Sequence, residues 1–349
     1  LLILILVCEN DSIMSCTVAV GGFFGDEGKG KIIAYLSIKD STAIAVRGGV
    51  GANAGHTFVY RDHTYKVRML PSAILNQSTI LLLGAGVLVT PSILIEEIQK
   101  YSTSNRTLID NQCGIIEEAH MLRDSTSDYL KNIVGTTGTG TGPANSDRAL
   151  RTLKLAREVP ELSPYLCDVS SIVNEAIDEK RSVLVEGTQG TYLSLYHGGY
   201  PYVTSKDVTA SGICSDVGIG PKSVDEVLVV FKSFVTRVGA GPLLNEVTPE
   251  EAVARGWTEY GSVTGRQRRS SSFNMDLAKK SVKINSATQL AITKMDVLFP
   301  LCAGVREFSK LTDDAKKFIQ WIEDETGVKV VLIGTGADIF DIIDLREIR

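Results

Sequence analysis

The chain has 349 residues, a formal net charge of −5, and apolar and charged fractions of 44% and 22%. That length builds one large or two ordinary domains whose core needs neither disulfides nor metal. The acidic balance excludes the basic footprint of a bulk nucleic-acid binder, so any anion site must be a local cluster.

Leu1–Val7 is apolar but too short to cross a bilayer. It has no basic flank and no small-residue cleavage site, so neither a membrane anchor nor a signal peptide is expected. Met14 reads as an initiator, with residues 1–13 an N-terminal extension and 14–349 one catalytic domain. The six cysteines, Cys8, Cys16, Cys113, Cys167, Cys214 and Cys302, form no C-x-x-C pair. The four histidines, His56, His63, His120 and His197, keep no metal-ligand spacing. Reduced, mostly buried thiols in a cytoplasmic protein are expected.

Cys16–Val20 is a short apolar strand, and a helix follows over Lys31–Leu36. Thr42–Val46 is a second strand. Thr57–Tyr60 and Thr64–Val67 form a hairpin around Arg61-Asp62-His63. Thr79–Leu83 is a buried strand, and Pro91–Tyr101 is a helix with proline in its first turn. Ser182–Val185, Val227–Phe234, Leu290–Thr293 and Val328–Ile333 read as strands. Pro249–Arg255, Met275–Ile284 and Asp313–Thr326 read as helices. Strands alternating with helices predict an α/β fold with a mostly parallel central sheet and flanking helices. Glycine-rich turns follow strand after strand, as expected where ligands bind at the carboxyl ends of a parallel sheet.

Gly25-Asp26-Glu27-Gly28-Lys29-Gly30-Lys31 follows the first strand and nearly matches the Walker A phosphate loop. Its glycines let backbone N–H groups face phosphate oxygens at a helix N-terminus, and its two lysines supply charge. Ile32 stands where that motif needs a hydroxyl for magnesium, which disfavours a switch GTPase. Asp26 and Glu27 beside a phosphate require an intervening cation or a proton-transfer role.

Companion strings follow. Gly51–Thr57 offers Asn53, His56 and Thr57 among small residues. Gly135–Pro143 alternates glycine with threonine, and Asp147, Arg148 and Arg151 come soon after. This composition suits a flexible linker, but the charged company favours an ordered oxyanion site. Glu186–Thr191 and Tyr200–Ser205 bring Gln189 and Thr204, suited to a neutral heterocycle and a sugar. Thr264-Gly265-Arg266-Gln267-Arg268-Arg269 is the densest basic cluster. A solvated charge run and a nucleic-acid contact are the alternatives to bidentate binding of a dicarboxylate. Thr293-Lys294-Met295-Asp296 resembles a guanine-reading motif, in which Asp296 accepts from the base N1–H and 2-amino group. Adenine lacks both donors in that arrangement.

In order and content these strings resemble the adenylosuccinate synthetase family, from about Val18 to Ala337, in its compact archaeal form. Val238–Pro242 and Gly334-Thr335-Gly336 complete the series. The resemblance implies a GTP-dependent ligase joining IMP to L-aspartate through 6-phosphoryl-IMP. It implies Asp26 as base and His56 as acid, with one Mg²⁺ held by Asp26 and the Gly55 carbonyl. GTP would be bound by Gly25–Lys31, Gly55, His56, Thr57, Arg268, Lys294, Asp296 and Gly334–Gly336. IMP would be bound by Asp26, Lys29, Asn53, His56, Thr137, Gln189, Thr204 and Arg266, and aspartate by Thr264, Arg266 and Arg268. Arg151 matches the arginine lent to a neighbouring subunit's IMP site, which implies a homodimer. No nucleic-acid or membrane partner is implied. The chain departs from the family's pattern at Thr139, at Phe23-Phe24 and at Ser270-Ser271-Ser272.

Overall fold

The computed structural model describes residues 16–261 and 265–347. The expected extension over residues 1–13, Met14 and Thr264 therefore lie outside the described residues. Among those described, no helix is long and apolar enough to cross a membrane.

The centre is one ten-stranded sheet. In chain order its strands are β1 Cys16–Gly21, β2 Ile44–Arg47, β3 Ile80–Leu83, β4 Thr107–Asp110 and β5 Leu166–Cys167. They continue with β6 Val183–Glu186, β7 Glu226–Lys232, β8 Gln289–Thr293, β9 Val330–Gly334 and β10 Ile342–Asp344. The spatial order is β10-β9-β8-β7-β1-β6-β2-β3-β4-β5. Every pairing is parallel except β9 with the edge strand β10. The expected mostly parallel α/β sheet is thus observed.

Alternation along each strand divides the core between two faces. Val18 and Val20 of β1 pack with Val46 of β2, Val185 of β6 and Val229 of β7 on one side. Ala19, Ala45, Leu184 and Leu228 face the other side, where they meet Ile32, Ile33 and Leu36 of helix α1, Lys29–Lys39. Both faces are covered, which is why the strands read as nearly continuous apolar runs. β1 lies at the switch point, with β7 on one side and β6 on the other. Loops leaving β1, β2, β6, β8 and β9 therefore converge at one carboxyl edge.

The expected single strand Val227–Phe234 is two strands. β7 ends at Lys232, and Phe234–Arg237 joins a separate antiparallel ribbon with Arg269–Ser272. Ser233 makes the break: its N–H donates to the Thr293 carbonyl at 3.0 Å and its hydroxyl to the Lys294 carbonyl at 2.7 Å. Gly135–Pro143 is ordered rather than a linker. Asp124 accepts from the Thr136 hydroxyl at 2.7 Å and from the Gly140 N–H at 2.8 Å. Gly140, in the left-handed region, then opens a helix over Thr141–Leu150.

The departing pair Phe23-Phe24 packs beneath the first loop. Phe23 meets Phe231 at 4.8 Å between ring centroids, and Phe24 lies under the Arg237 guanidinium at 4.5 Å. Space here is tight: a Cβ added to Gly22 would stand 2.1 Å from the Phe231 ring. Gly22→Ala should therefore destabilise the fold by about 1–3 kcal/mol in urea unfolding, with Phe231→Leu recovering part of the loss in the double variant. Equal stability of Gly22→Ala and the parent would contradict this packing.

Candidate functional site

The loop after β1 is built around its own acid. Glu27 is buried, and its Oε1 accepts the N–H groups of Phe23 at 3.0 Å and Gly25 at 2.8 Å. Its Oε2 accepts the Lys29 ammonium at 2.8 Å. Gly28 takes φ +86 and starts α1, which leaves the first-turn N–H groups of the helix facing the loop. Thr293, at the end of β8, donates its hydroxyl to the Glu27 carbonyl at 2.7 Å. The Lys31 ammonium donates to the carbonyls of Gly336 at 2.6 Å and Asp341 at 2.9 Å. Burial lowers its pKa to about 8, against Asp341 and Asp296. The phosphate-type loop is thereby tied to the segments after β8 and β9.

A cleft of about 990 Å³ opens along this carboxyl edge. Gly25, Asp26, Gly28, Lys29, Gly30, Lys31, Asn53, Gly55, His56, Thr57, Thr137, Gln189, Thr204, Arg266, Arg268, Lys294 and Gly336 all line it. Among the other expected residues, Glu27, Gly334 and Thr335 stand behind the wall. Thr335 is fully buried and donates its hydroxyl to the Val305 carbonyl at 2.7 Å. Asp296 is likewise outside the lining, but its Oδ1 is buried and unpartnered among the described residues. Arg151 is exposed just past the helix Thr141–Leu150 and does not line this cleft. Of the departures, Thr139 shares a 3.0 Å hydroxyl contact with Thr137, while Ser270 and Ser271 are buried in the ribbon strand.

His56 starts the hairpin His56–Tyr60/His63–Val67. Its Nδ1 hydrogen-bonds to Glu186 and lies 3.3 Å from Arg47. Its Nε2 is buried with no partner among the described residues. Burial, then Arg47, lowers the imidazole pKa to about 4, against the pull of Glu186. The ring is therefore neutral near pH 7 in this arrangement.

Asp26 has φ +63, a left-handed conformation that points a non-glycine side chain out of the loop. Its carboxylate pairs with Arg268 at 2.8 Å. Burial raises its pKa, with Arg268 and Lys232 opposing. A carboxylate raised in this way is better matched to proton abstraction near neutrality.

Several residues that organise the cleft carry no motif. Glu259 bonds to Lys232 at 2.8 Å and to Arg268 at 2.5 Å, and lies 3.4 Å from Lys294. Burial pushes its pKa up, but Lys232, Lys294 and Arg268 outweigh burial and hold the carboxyl at about 2. Lys232 is 1% exposed, with Thr236 Oγ1 at 2.6 Å and the Phe234 ring beneath its ammonium. The sequence signal was present: a lysine closing an apolar strand cannot lie buried without an acid. Arg266 reaches across the cleft and donates to the Gly135 carbonyl at 3.0 Å. Removing the Glu259 carboxylate strands the Lys232 charge, so Glu259→Ala should lose about 3–5 kcal/mol in urea unfolding. Replacing Lys232 by methionine in the same background should restore much of that loss, and no recovery would count against the pairing.

The adenylosuccinate synthetase family profile matches residues 18–158 and 151–303 of this chain. The chain is 51% identical over 337 residues to the adenylosuccinate synthetase of Methanococcus vannielii, covering 96% of this chain and all of that one. It is 51% identical over 338 residues to that of Methanocaldococcus jannaschii, covering 96% and 98% of the two chains. A fully ligated adenylosuccinate synthetase from Plasmodium falciparum superposes with a TM-score of 0.88 at 27% identity, covering 95% of this chain and 99% of that one. A cyanophage succinoaminodeoxyadenylate synthetase, at 23% identity and TM-score 0.77, shares the fold. With the ordered loops gathered on one cleft, these matches show that the chain belongs to the adenylosuccinate synthetase family.

Proposed function

We propose that this chain joins IMP to L-aspartate to give adenylosuccinate, converting GTP to GDP and phosphate, in AMP biosynthesis. One observation carries the reading. Asn53 Oδ1, His56 Nε2, Gln189 Nε2 and Asp296 Oδ1 are buried without partners among the described residues, and all four lie in segments that follow β2, β6 and β8 at one carboxyl edge. Polar atoms in that state are costly unless a ligand completes them.

Asp26 takes the N1 proton of IMP, which places negative charge on the 6-oxygen. That oxygen attacks the γ-phosphorus of GTP, and GDP leaves. The aspartate amine then displaces phosphate from C6, so the hard departure of an oxygen becomes the easier departure of a phosphate. Asn53, Thr137, Gln189, Thr204 and Arg266 hold IMP, while Lys294, Asp296 and Gly334–Gly336 hold guanine. Glu27 serves GTP through the loop shape it enforces rather than by touching it.

His56 acts as the acid only as an imidazolium. Phosphate oxygens at Nε2 and Glu186 at Nδ1 favour that form, against burial and Arg47. Arg268 pairs with Asp26 until a substrate carboxylate competes for it. Capture of aspartate by Thr264, Arg266 and Arg268 therefore frees the base.

Mg²⁺ fits this donor set. Among the described residues no three acidic, histidine or cysteine side chains gather into a closed cage. Asp26 and the Gly55 carbonyl instead offer the few hard oxygens that Mg²⁺ accepts when phosphates and waters complete its shell. The ion would neutralise charge on the phosphates.

The same reading includes a homodimer in which Arg151 completes the neighbour's IMP site. It also includes a cytoplasmic setting, supported by the five cysteines among the described residues, all of them free thiols.

A mixture of GTP, IMP, L-aspartate and Mg²⁺ should yield adenylosuccinate only when complete. Failure of the complete mixture under any workable condition contradicts the function. Replacing GTP by ATP should lower kcat/KM by at least about 100-fold, because adenine leaves the Asp296 carboxylate unsatisfied. Equal rates would refute that role of Asp296. Arg151→Leu and Asp26→Asn chains, each inactive alone, should regain part of the activity on mixing. Inactive mixed dimers would contradict a shared site.

A further inference from the structure

Glu186 lies at the carboxyl end of β6, where parallel register sets it opposite Arg47 of β2. Both side chains are fully buried. The bland explanation is that the acid neutralises the arginine, but the distances point elsewhere. Arg47 Nη1 is 3.8 Å from Glu186 Oε1, beyond hydrogen-bond reach. The close partners of the carboxylate are the Ser72 N–H at 2.6 Å, the Ser72 hydroxyl at 2.6 Å and Nδ1 of His56. Arg47 donates to the carbonyls of Ala54 at 3.0 Å, just before His56, and of Leu70 at 3.3 Å, just before Ser72; its Nη1 also lies 3.3 Å from His56 Nδ1, a longer contact than the one Glu186 makes with that nitrogen.

An ionised carboxylate only accepts hydrogen bonds, so Nδ1 must be the donor. An imidazole held in this way carries its proton on Nδ1 when neutral and presents Nε2, which has no partner among the described residues, as a bare nitrogen. We propose that Glu186 is the positioning residue for His56: it fixes the Nδ1–H tautomer and aims Nε2 at the reacting groups. Ser72, donating through both its backbone and its hydroxyl, fixes the carboxylate in turn.

This inference rests on the reading of His56 as a group that serves the reacting phosphate. It makes a specific demand on the isosteric variant Glu186→Gln. If the glutamine oxygen stays on His56 and the Ser72 hydroxyl, its amide faces the Ser72 N–H, donor against donor. If it turns over, its NH₂ meets Nδ1 and drives the proton to Nε2. The second arrangement is the better satisfied, so the variant should hold the opposite tautomer.

The experiment is ¹⁵N NMR of the four ring-labelled histidines, with His56→Asn assigning the resonance, together with steady-state kinetics. The parent should show His56 as the Nδ1–H tautomer, and Glu186→Gln should show Nε2–H. The variant's kcat should fall about 100-fold or more, with KM for IMP and GTP within about threefold of the parent. An Nε2–H tautomer in the parent overturns the proposal even if the variant does not fold. A folded variant with unchanged tautomer, or with turnover within about threefold of the parent, overturns it as well. Full turnover by His56→Asn would instead overturn the underlying reading of His56, leaving the tautomer result to stand on its own.

Discussion

A buried glutamate inside a phosphate-type loop is the constraint on which the rest of the site depends. Glu27 gathers two backbone N–H groups and the Lys29 ammonium around one buried carboxylate. The bonds that shape the loop therefore lie within the protein itself. Its charge is balanced internally, and Gly28 can begin α1 with its N–H groups facing outward. Thr293 and Lys31 then tie the same loop to the ends of β8 and β9. A loop fixed at three strand ends brings the proposed guanine side and phosphate side into one frame, which is the preorganisation that phosphoryl transfer requires.

A second frame holds the proposed acceptor side. Glu259 links Lys232, Arg268 and Lys294, and Arg268 reaches on to Asp26. These are charges in a low-dielectric wall, where each is tolerable only because its neighbours are present. Repositioning Arg268 changes the environment of Asp26 directly. In the proposed function, recognition of an amino-acid carboxylate by Arg268 and release of Asp26 as the base are therefore steps of one network. The sheet provides a third frame, in which β2 and β6 place Arg47 and Glu186 in register behind His56.

The sheet and most of its strands were legible in the sequence, because strands buried on both faces are written as short apolar runs ending at glycines. The gathering of Asp26, His56, Gln189 and Arg268 on one cleft was legible for a different reason: each lies in a glycine-rich or strongly basic string whose composition has no purpose in a core. What the sequence hid was pairing across long separations. Glu259 and Lys232 are 27 positions apart and Glu186 and His56 are 130 apart, with no local pattern to join them. Ser233 divided an apparently continuous apolar run because its partners lie on β8 and just beyond it, far along the chain. Glu27 read as a nucleotide contact because a carboxylate beside a phosphate demands an explanation. The structure supplies one within the loop itself.

The central claim is that this cleft activates a purine oxygen by phosphorylating it before nitrogen replaces it. The most direct measurement follows that oxygen. IMP carrying ¹⁸O at C6 is turned over with GTP and aspartate, and the inorganic phosphate is analysed by ³¹P NMR for the isotope shift. The account predicts one ¹⁸O atom in each phosphate released. Unlabelled phosphate, with the ¹⁸O lost to water, would contradict it.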